Sequence, residues 1–203
     1  MRKIQLEIDL LRHGLSESNK VKKYSNVIDE PLDKLAFGEI SNIKEYFDNI
    51  NYDMVFSSPY KRCLETALYL IRDNTVAIKI ENSIREMELG PWNGLTPKEI
   101  EIKYPIEWEI WKSKPDKLRL PERETIHEVR QRVISWLIPL INSIECGHIL
   151  IVTHVVVIRV ILSYYLGIPL SNIRDIEIDN LKTFKLQFIN LKPLIWELHM
   201  PYK

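Results

Sequence analysis

The sequence predicts an α/β protein in which buried strands alternate with amphipathic helices. The first observation is an alternating apolar run from Ile4 to Leu11, typical of a strand buried in an α/β sheet. The second is a similar run at 149–152, followed by the apolar stretch 155–166, which predicts a buried helix. The third is the set of intervening segments whose apolar residues recur at helical spacing.

The two apolar runs end in residues that do not belong in a hydrophobic core. The first ends at Arg12, His13 and Gly14, and the second ends at Thr153 and His154. In open α/β sheets, sites form just beyond the carboxyl ends of strands. An arginine beside a histidine offers a planar anion clamp next to a group that can attack, ligate or move a proton. If the two strands are neighbours, both histidines face one crevice.

The first half of the chain contains further predicted strands and helices. Asp33 is predicted to cap a helix whose apolar stripe lies within 35–47. Residues 54–56 predict a short buried strand, and the Ser-Ser-Pro sequence at 57–59 predicts the start of the next helix. The alternating apolar residues of 76–80 predict another strand.

The second half is predicted to begin with a helix at 96–99, where Thr-Pro-Lys-Glu is a strong start signal. Residues 104–121 predict a helical excursion whose tryptophans either wall a pocket or pack in the core. Residues 124–144 have the apolar spacing of a long helix that Pro139 is expected to kink. Three short strands are predicted to complete the sheet, at 173–178, 183–189 and 194–198.

Three more side chains are candidates for the crevice. Arg62 lies in the first turn of a predicted helix, where a cation is unfavourable but an anion is stabilised. A bound anion would remove that conflict. Glu86 belongs to the irregular loop 84–94, and an acid near two histidines can donate a proton. Asn19 follows His13 by six residues and is placed to return its amide to the same anion. The alternative for each is a solvated or structural role.

Two chemistries compete for this set of residues. Two histidines and a glutamate form a familiar hydrolytic zinc set. However, Arg12 and Arg62 would repel a metal cation, and no two ligands share a His-x-x-x-His register. A phosphate centre fits better, because arginines bind phosphoryl oxygens bidentately and a neutral imidazole can attack phosphorus. We therefore expect no metal ion.

Composition excludes several classes of function. The 203 residues suit a single domain covering 1–203, and 28 lysine and arginine residues balance 28 aspartate and glutamate residues. Because the net charge is zero, neither nucleic acid nor a membrane surface is an expected partner. No signal peptide or apolar segment of about 20 residues is evident. Cys63 and Cys146 form no metal or disulfide pattern, so we expect a cytoplasmic protein.

Four blocks of sequence, in the same order, resemble the histidine phosphatase superfamily, also called the phosphoglycerate mutase-like family. The resemblance covers nearly the whole chain. The blocks are LLRHGLSESN at 10–19, FSSPYKRCLETA at 56–67, IREMELGPWNG at 84–94 and ILIVTHVVVIR at 149–159. The resemblance implies a three-layer α/β/α sandwich on a mainly parallel sheet. It also implies that neither a metal nor an organic cofactor is needed.

The resemblance assigns a role to each candidate. His13 would be the nucleophile, phosphorylated at Nε2 while its Nδ1–H is held by the backbone. Glu86 would protonate the leaving oxygen and then deprotonate the water that clears the phosphohistidine. The phosphoryl oxygens would be neutralised by Arg12, Asn19, Arg62 and His154, with the backbone N–H of Val155 beside them. The catalytic set is thus His13, Glu86, His154, Arg12 and Arg62.

Some residues depart from the family pattern. Val155 replaces the usual glycine after the second histidine, which narrows the pocket or alters the turn. Leu15 replaces the usual acid after Arg-His-Gly, which removes a supporting contact. Met87 follows Glu86 where phosphoglycerate mutases typically have an arginine.

Met87 and a chain shorter than those of phosphoglycerate mutases favour the small-phosphatase branch, which Glu88, Trp92 and Gly94 also resemble. We therefore predict a hydrolase of phosphomonoesters that acts through phosphohistidine on a small phosphorylated metabolite. A cofactor-dependent phosphoglycerate mutase is the alternative. A third hypothesis is a catalytically inactive phosphate-binding module, which the departures at Leu15 and Val155 leave possible. Relatives of this family are often dimers, so a homodimer is also an expectation.

Overall fold

A computed structural model describes residues 5–26, 30–71, 76–189 and 192–198. One six-stranded sheet lies at its centre. The strands are β1 (Gln5–Arg12), β2 (Met54–Ser57), β3 (Ile78–Ile80), β4 (Cys146–Thr153), β5 (Thr183–Ile189) and β6 (Lys192–Leu198). Their order across the sheet is β3-β2-β4-β1-β5-β6. The β3–β2, β2–β4 and β4–β1 pairs are parallel, whereas β5 runs antiparallel to β1 and β6.

The helices follow in chain order around the sheet. The α-helices are α1 (Glu17–Lys20), α2 (Lys34–Asp48), α3 (Lys61–Leu70), α4 (Pro97–Lys103), α5 (Pro105–Ser113), α6 (Ile126–Asn142) and α7 (Val155–Leu166). Short 3-10 segments are formed by Asn82–Ile84, Gly90–Trp92, Pro115–Lys117 and Leu170–Asp175. Among the described helices, none is long and apolar enough to cross a membrane.

Two hydrophobic cores lie on opposite faces of the sheet, because successive strand residues point to opposite sides. Leu6, Ile8 and Leu10 of β1 belong to the core that also contains buried residues of α6 and α7. Leu11 belongs to the other core, which contains buried residues of α2 and α3. Helices therefore cover both faces of a mainly parallel sheet, and the predicted α/β/α sandwich is confirmed.

The predicted starts of two helices are confirmed by their hydrogen bonds. Asp33 caps α2 by accepting from the backbone N–H of Leu35 at 2.8 Å. Thr96 and Glu99 form a capping box at the start of α4, in which each side chain accepts from the other residue's backbone N–H. Leu35 itself is exposed, so the buried stripe of α2 consists of Ala36, Ile40, Ile43 and Phe47.

Other local predictions were wrong. The apolar residues of 173–178 do not form a strand: Leu170–Asp175 is a 3-10 segment, although Ile173 and Ile178 are buried as core residues. The helix after β2 begins at Lys61 with Tyr60 as its N-cap, so Pro59 lies before the helix. Position 76 precedes β3 rather than belonging to it. The predicted first strand also included Ile4, which lies outside the described residues.

Candidate active site

Two neighbouring strands bring the two histidines together. Arg12 and Thr153 are paired at the ends of β1 and β4, and the backbone N–H of His13 donates to the Thr153 carbonyl at 3.0 Å. The rings of His13 and His154 meet edge to face, with centroids 5.1 Å apart. The predicted pairing of the two strands is confirmed and the two rings are in contact, but only His13 lines the cavity.

The neighbours of His13 determine which ring nitrogen carries the proton. Nδ1 lies 2.7 Å from the Gly14 carbonyl, and because a carbonyl can only accept, Nδ1 must be the donor. Nε2 accepts a hydrogen bond from Nε of Arg62 at 3.2 Å and therefore carries the lone pair. Burial, Arg62 and Arg12 hold the pKa of His13 well below its usual 6.5. The result is a neutral imidazole with an unprotonated Nε2.

His154 has the opposite tautomer. Its Nδ1 lies 3.3 Å from Nη2 of Arg62, and because a guanidinium can only donate, Nδ1 accepts. Nε2 then carries the proton and donates to Oγ of Ser58 at 2.7 Å. Burial and Arg62 hold the pKa of His154 well below 6.5. The side chain is completely buried and does not line the cavity that His13 faces.

Arg62 is the second residue of α3 and contacts both imidazoles. Thr66, one turn further along α3, accepts from the backbone N–H of Gly14 at 3.0 Å and donates to the Arg62 carbonyl at 2.7 Å. The Arg62 guanidinium also lies over the ring of Tyr60, 4.9 Å from its centroid. The end of β1 and the start of α3 are therefore linked through one hydroxyl.

Glu30 is a site residue that the sequence analysis did not identify. It is buried, and its Oε2 lies 3.3 Å from Nη1 of Arg62. Its carboxylate also accepts from the backbone N–H of Ser18 at 2.6 Å and from the Ser25 hydroxyl at 2.8 Å. Burial raises the pKa of Glu30, but the bonds from Ser18 and Ser25 and the charge of Arg62 outweigh it, so the pKa is lowered. No sequence signal distinguished this glutamate from a solvated loop acid.

Glu86 is buried and lines the cavity. Its Oε1 accepts from the backbone N–H of Met87 at 2.8 Å. Burial raises the pKa of Glu86 above its usual 4.5, although the bond from Met87 and the charges of Arg62 and Arg12 oppose the shift. A carboxyl with a raised pKa holds its proton more readily, as a general acid must.

The loop that carries Glu86 is held by a partly buried ion pair between Arg132 of α6 and Glu124. Arg132 donates to both carboxylate oxygens of Glu124, at 2.8 and 2.9 Å. The same guanidinium donates to the backbone carbonyls of Ser83, Arg85 and Glu86 at 2.8, 3.0 and 3.3 Å. The position of the acid is thus fixed by α6 as well as by its own loop.

Arg12 and Asn19 reach the site from the segment that carries His13. Nη1 of Arg12 donates to the Ile178 carbonyl at 2.6 Å, and burial lowers the pKa of Arg12 to about 10. Oδ1 of Asn19 accepts from Nδ2 of Asn180 at 3.0 Å, so the NH₂ group of Asn19 is the end suited to donate to an anion. Asn180 also lies 3.0 Å from the His13 carbonyl, a contact that the sequence did not predict.

These residues surround a cavity of about 380 Å³. His13, Met87, Asn19, Asn180 and Val155 line it, and Glu86 is the one carboxylic acid among the described lining residues. The lining side chains that carry a positive charge are Arg12, Lys22, Lys23, Arg62, Arg159 and Arg174. Within the described ranges, no three His, Cys, Asp or Glu side chains are grouped to hold a metal ion. The cavity is therefore built for an anion.

Comparison with known proteins identifies the family. The sequence profile of the histidine phosphatase superfamily (branch 1) matches residues 8–198. The chain belongs to this superfamily.

Individual relatives agree with that assignment. Phosphoserine phosphatase 1 of Hydrogenobacter thermophilus is 27% identical over 175 residues, which are 86% of this chain and 83% of that protein. The structure of Bacillus stearothermophilus YhfR matches with a TM-score of 0.87 at 21% identity, over 94% of this chain and 95% of that one. The alpha-ribazole phosphatase of Shigella flexneri matches with a TM-score of 0.85 at 20% identity, over 95% and 96%.

The predicted family and the predicted class of enzyme, a phosphatase that hydrolyses phosphomonoesters, are confirmed by these matches. Of the residues predicted for the site, His13, Arg12, Asn19, Arg62, Glu86 and Val155 line one cavity. His154 contacts His13 and Arg62 from behind the cavity wall.

Proposed function

We propose that the chain hydrolyses a small phosphomonoester through a phosphohistidine formed on Nε2 of His13. The observation that carries this proposal is the tautomer of His13. Its Nδ1–H is held by the Gly14 carbonyl, which leaves the Nε2 lone pair beside Arg62 in a cavity lined by arginines. A neutral imidazole oriented in this way is a nucleophile, and guanidinium groups bind phosphoryl oxygens bidentately.

The first step transfers the phosphoryl group to the enzyme. The Nε2 lone pair of His13 forms a bond to phosphorus as the bond to the ester oxygen breaks. Glu86 gives its proton to that oxygen, and the alcohol leaves. Arg62 donates to the same lone pair in the structure, so its Nε–H must pass from Nε2 to a phosphoryl oxygen when substrate binds.

The second step returns the enzyme to its starting state. Glu86, now a carboxylate, takes a proton from water while the water oxygen bonds to phosphorus. The N–P bond breaks, its electron pair returns to Nε2, and inorganic phosphate leaves. Such transfers depend mainly on positioning and charge stabilisation, which the chain's own cations provide without a metal or organic cofactor.

The remaining predicted residues stabilise the transferring group. Arg12, Arg62 and Asn19 line the cavity as donors, and the backbone N–H of Val155 lies at the start of α7. His154 supports Arg62 through Nδ1. Once its ring turns away from Ser58, its Nε2–H is a further donor to the phosphoryl group.

Phosphoglycerate mutase remains the second candidate reaction, and one observation disfavours it. Met87 is fully buried and lines the cavity next to Glu86, at the position where those mutases typically carry an arginine. A mutase must also keep its phosphoenzyme away from water. Hydrolysis is therefore the favoured outcome. An inactive binding module would have no use for a buried carboxyl whose pKa is raised, as that of Glu86 is.

The partner of this site is a small phosphorylated metabolite, since about 380 Å³ lies near the lower end of small-molecule sites. The named relatives act on phosphoserine and alpha-ribazole phosphate, which is consistent with this size class. A cytoplasmic location and a homodimer stay predictions.

The proposal is tested by release of phosphate from p-nitrophenyl phosphate in the presence of a chelator. We expect undiminished turnover and an acid-labile phosphoprotein on rapid quenching. A coupled assay for conversion of 3- to 2-phosphoglycerate runs in parallel, and its expected result is no isomerisation. Dependence on added metal would overturn the histidine mechanism, and isomerisation faster than phosphate release would favour the mutase.

A further inference from the structure

Each nitrogen of the Arg62 guanidinium has an acceptor within the chain itself. Nε donates to Nε2 of His13 at 3.2 Å. Nη2 lies 3.3 Å from Nδ1 of His154 and 3.4 Å from the Ser25 carbonyl. Nη1 lies 3.3 Å from Oε2 of Glu30. Glu30 differs from the other acceptors because a carboxylate carries a negative charge. The proposed function uses Arg62 to bind a phosphoryl group and leaves this neighbouring anion without a role.

The carboxylate of Glu30 is buried and is held in its ionised form. Oε1 accepts from the backbone N–H of Ser18 at 2.6 Å, and Oε2 accepts from the Ser25 hydroxyl at 2.8 Å. Burial raises the pKa of Glu30, but these hydrogen bonds and the charge of Arg62 outweigh burial, so the pKa lies below its usual 4.5. Glu30 therefore carries its negative charge throughout the neutral pH range.

Glu30 contacts Arg62 from outside the cavity. Ser25 and Arg62 are among the described residues that line the cavity, and Glu30 is not. A phosphoryl group at His13 would therefore meet the Arg62 guanidinium without touching Glu30. The guanidinium would then have two anions beside it, one supplied by the ligand and one by the chain.

Two anions beside one guanidinium weaken each other's binding. Their repulsion acts over several ångströms, because the effective dielectric constant inside a protein is well below that of water. The side chains of Arg62 and Glu30 are only 3% and 8% exposed, so water screens this repulsion little. The ion pair also holds Arg62 in position before a ligand arrives. The carboxylate thus orients the guanidinium and at the same time reduces its attraction for phosphate.

We propose that Glu30 is a positioning residue that acts through Arg62 and lowers the affinity of the site for the phosphoryl group of the substrate and for inorganic phosphate. This inference rests on the proposed function, because it places the phosphoryl group at His13 beside Arg62. Several arginines and lysines line the cavity, so the site attracts phosphate strongly. Inorganic phosphate must leave after each hydrolysis, and the repulsion from Glu30 favours its release.

The test measures the binding of inorganic phosphate, which requires no turnover. Isothermal titration calorimetry gives the Kd of orthophosphate for the wild-type chain and for Glu30→Gln, which removes the charge and keeps the size of the side chain. We expect the Kd to fall about tenfold, because one repelling charge at low effective dielectric constant is lost. The KM for p-nitrophenyl phosphate should fall in the same proportion, while kcat does not rise.

The sign of the effect separates this role from a structural one. If Glu30 only supported the fold around Arg62, its loss would loosen the guanidinium, and the Kd of phosphate and the KM would both rise. An unchanged or higher Kd in folded Glu30→Gln would therefore overturn the inference. Circular dichroism checks the fold of each variant.

Two further variants separate the charge of Glu30 from its shape. Glu30→Asp keeps the negative charge and should leave the Kd of phosphate within about threefold of the wild-type value. Glu7→Gln removes a carboxylate from its ion pair with Lys185, outside the cavity lining, and should leave the Kd unchanged. Equal effects of Glu30→Asp and Glu30→Gln would contradict a role for the charge. If Glu30→Gln failed to fold while Glu30→Asp folded, the carboxylate would serve the fold, and the inference would fail.

The outcome is separable from the test of the proposed function, because calorimetry reports phosphate binding whether or not His13 is the nucleophile. If His13→Ala retained hydrolysis, the phosphohistidine proposal would fail, and the Kd comparison would still decide the role of Glu30. If His13→Ala were inactive and Glu30→Gln did not tighten phosphate binding, only the role of Glu30 would fail.

Discussion

The ends of β1 and β4 show how two equivalent positions acquire opposite chemistry. His13 and His154 each follow a buried parallel strand, and the two strands are paired directly. Nδ1 of His13 meets a carbonyl, which forces it to donate, whereas Nδ1 of His154 meets the guanidinium of Arg62, which forces it to accept. Nε2 is therefore a lone pair in one ring and a donor in the other. The tautomer, and with it the capacity to attack, follows from a single neighbouring group.

The two positions also differ in access. His13 lines the cavity although little of its side chain is exposed, whereas His154 is enclosed by Ser58, Tyr60 and Arg62. A phosphoryl group can therefore reach the first ring directly. In the mechanism proposed above, it would reach the second only after the His154 ring turns away from Ser58.

The largest expected effects come from removing the imidazoles of His13 and His154 in turn, which tests whether the two rings have different roles. His13→Ala should lower kcat by about 10⁴-fold or more and abolish the acid-labile phosphoprotein, because the nucleophile is lost. His154→Ala should lower kcat by about 10²–10³-fold and leave the phosphoprotein detectable, because only a donor is lost. Circular dichroism of both variants checks that each is folded. A phosphoprotein that survives in His13→Ala but not in His154→Ala would reverse the two assignments.

Glu86→Gln tests the difference between His13 and His154 further, because only His13 lines the cavity that contains this acid. We expect kcat/KM for alkyl phosphates to fall by about 10²–10⁴-fold, since the leaving alkoxide then receives no proton. The loss for p-nitrophenyl phosphate should be much smaller, because nitrophenolate leaves without protonation. The burst of nitrophenol should remain while the later steady rate falls. Equal losses of kcat/KM for the two leaving groups would remove Glu86 from the role of acid.

The pH dependence provides a third test, because burial lowers the pKa of both imidazoles and raises the pKa of Glu86. The pKa of His13 is lowered from 6.5, so the nucleophile stays unprotonated below that pH. The pKa of Glu86 is raised from 4.5, so the acid keeps its proton to a higher pH than a free glutamate does. The value of kcat/KM for alkyl phosphates should fall as the pH rises through this raised pKa, because Glu86 then loses the proton that it donates. This alkaline decline should be absent with p-nitrophenyl phosphate and in Glu86→Gln. A decline of the same size with both substrates would contradict the assignment.

The smallest expected effect concerns the hydrogen bond between Nε2 of His154 and Oγ of Ser58. Ser58→Ala removes the acceptor of Nε2–H and should change kcat by less than about tenfold, since one neutral hydrogen bond is worth about 1 kcal/mol. The melting temperature should fall, because the buried N–H of His154 is left without this partner. Ser41→Ala, at an exposed hydroxyl of α2, is the matched control. A loss as large as that of His154→Ala would mean that Ser58 itself serves in catalysis.

Much of this site was predictable because it depends on strand ends and helix starts. Apolar runs that stop at Arg12 and His13, and at His154, indicate neighbouring strand ends, and the register of β1 and β4 agrees. The position of Arg62 in a first helical turn was also predictable, although the helix begins later than the Ser-Ser-Pro sequence suggested. Ser58 is instead drawn to His154 by a side-chain hydrogen bond.

The remaining parts depend on contacts between distant segments. Glu30 pairs with Arg62, and Asn180 contacts Asn19. The partners are far apart in the sequence, and a periodic pattern of apolar residues carries no information about such contacts. The segment 173–178 has the composition of a buried strand. Leu170–Asp175 forms a 3-10 segment instead, and Ile173 and Ile178 are buried in the same core as α7. Tautomers likewise depend on the neighbouring groups and not on the residue type.

Thr66 gives this architecture a mechanical consequence. Its hydroxyl accepts from the backbone N–H of Gly14 and donates to the carbonyl of Arg62, so it ties the turn after His13 to the first turn of α3. A displacement of α3 would therefore be expected to move the turn beside His13 as well. In the mechanism proposed above, the alignment of Nε2 of His13 with the guanidinium of Arg62 would thus depend on a threonine hydroxyl outside the cavity lining.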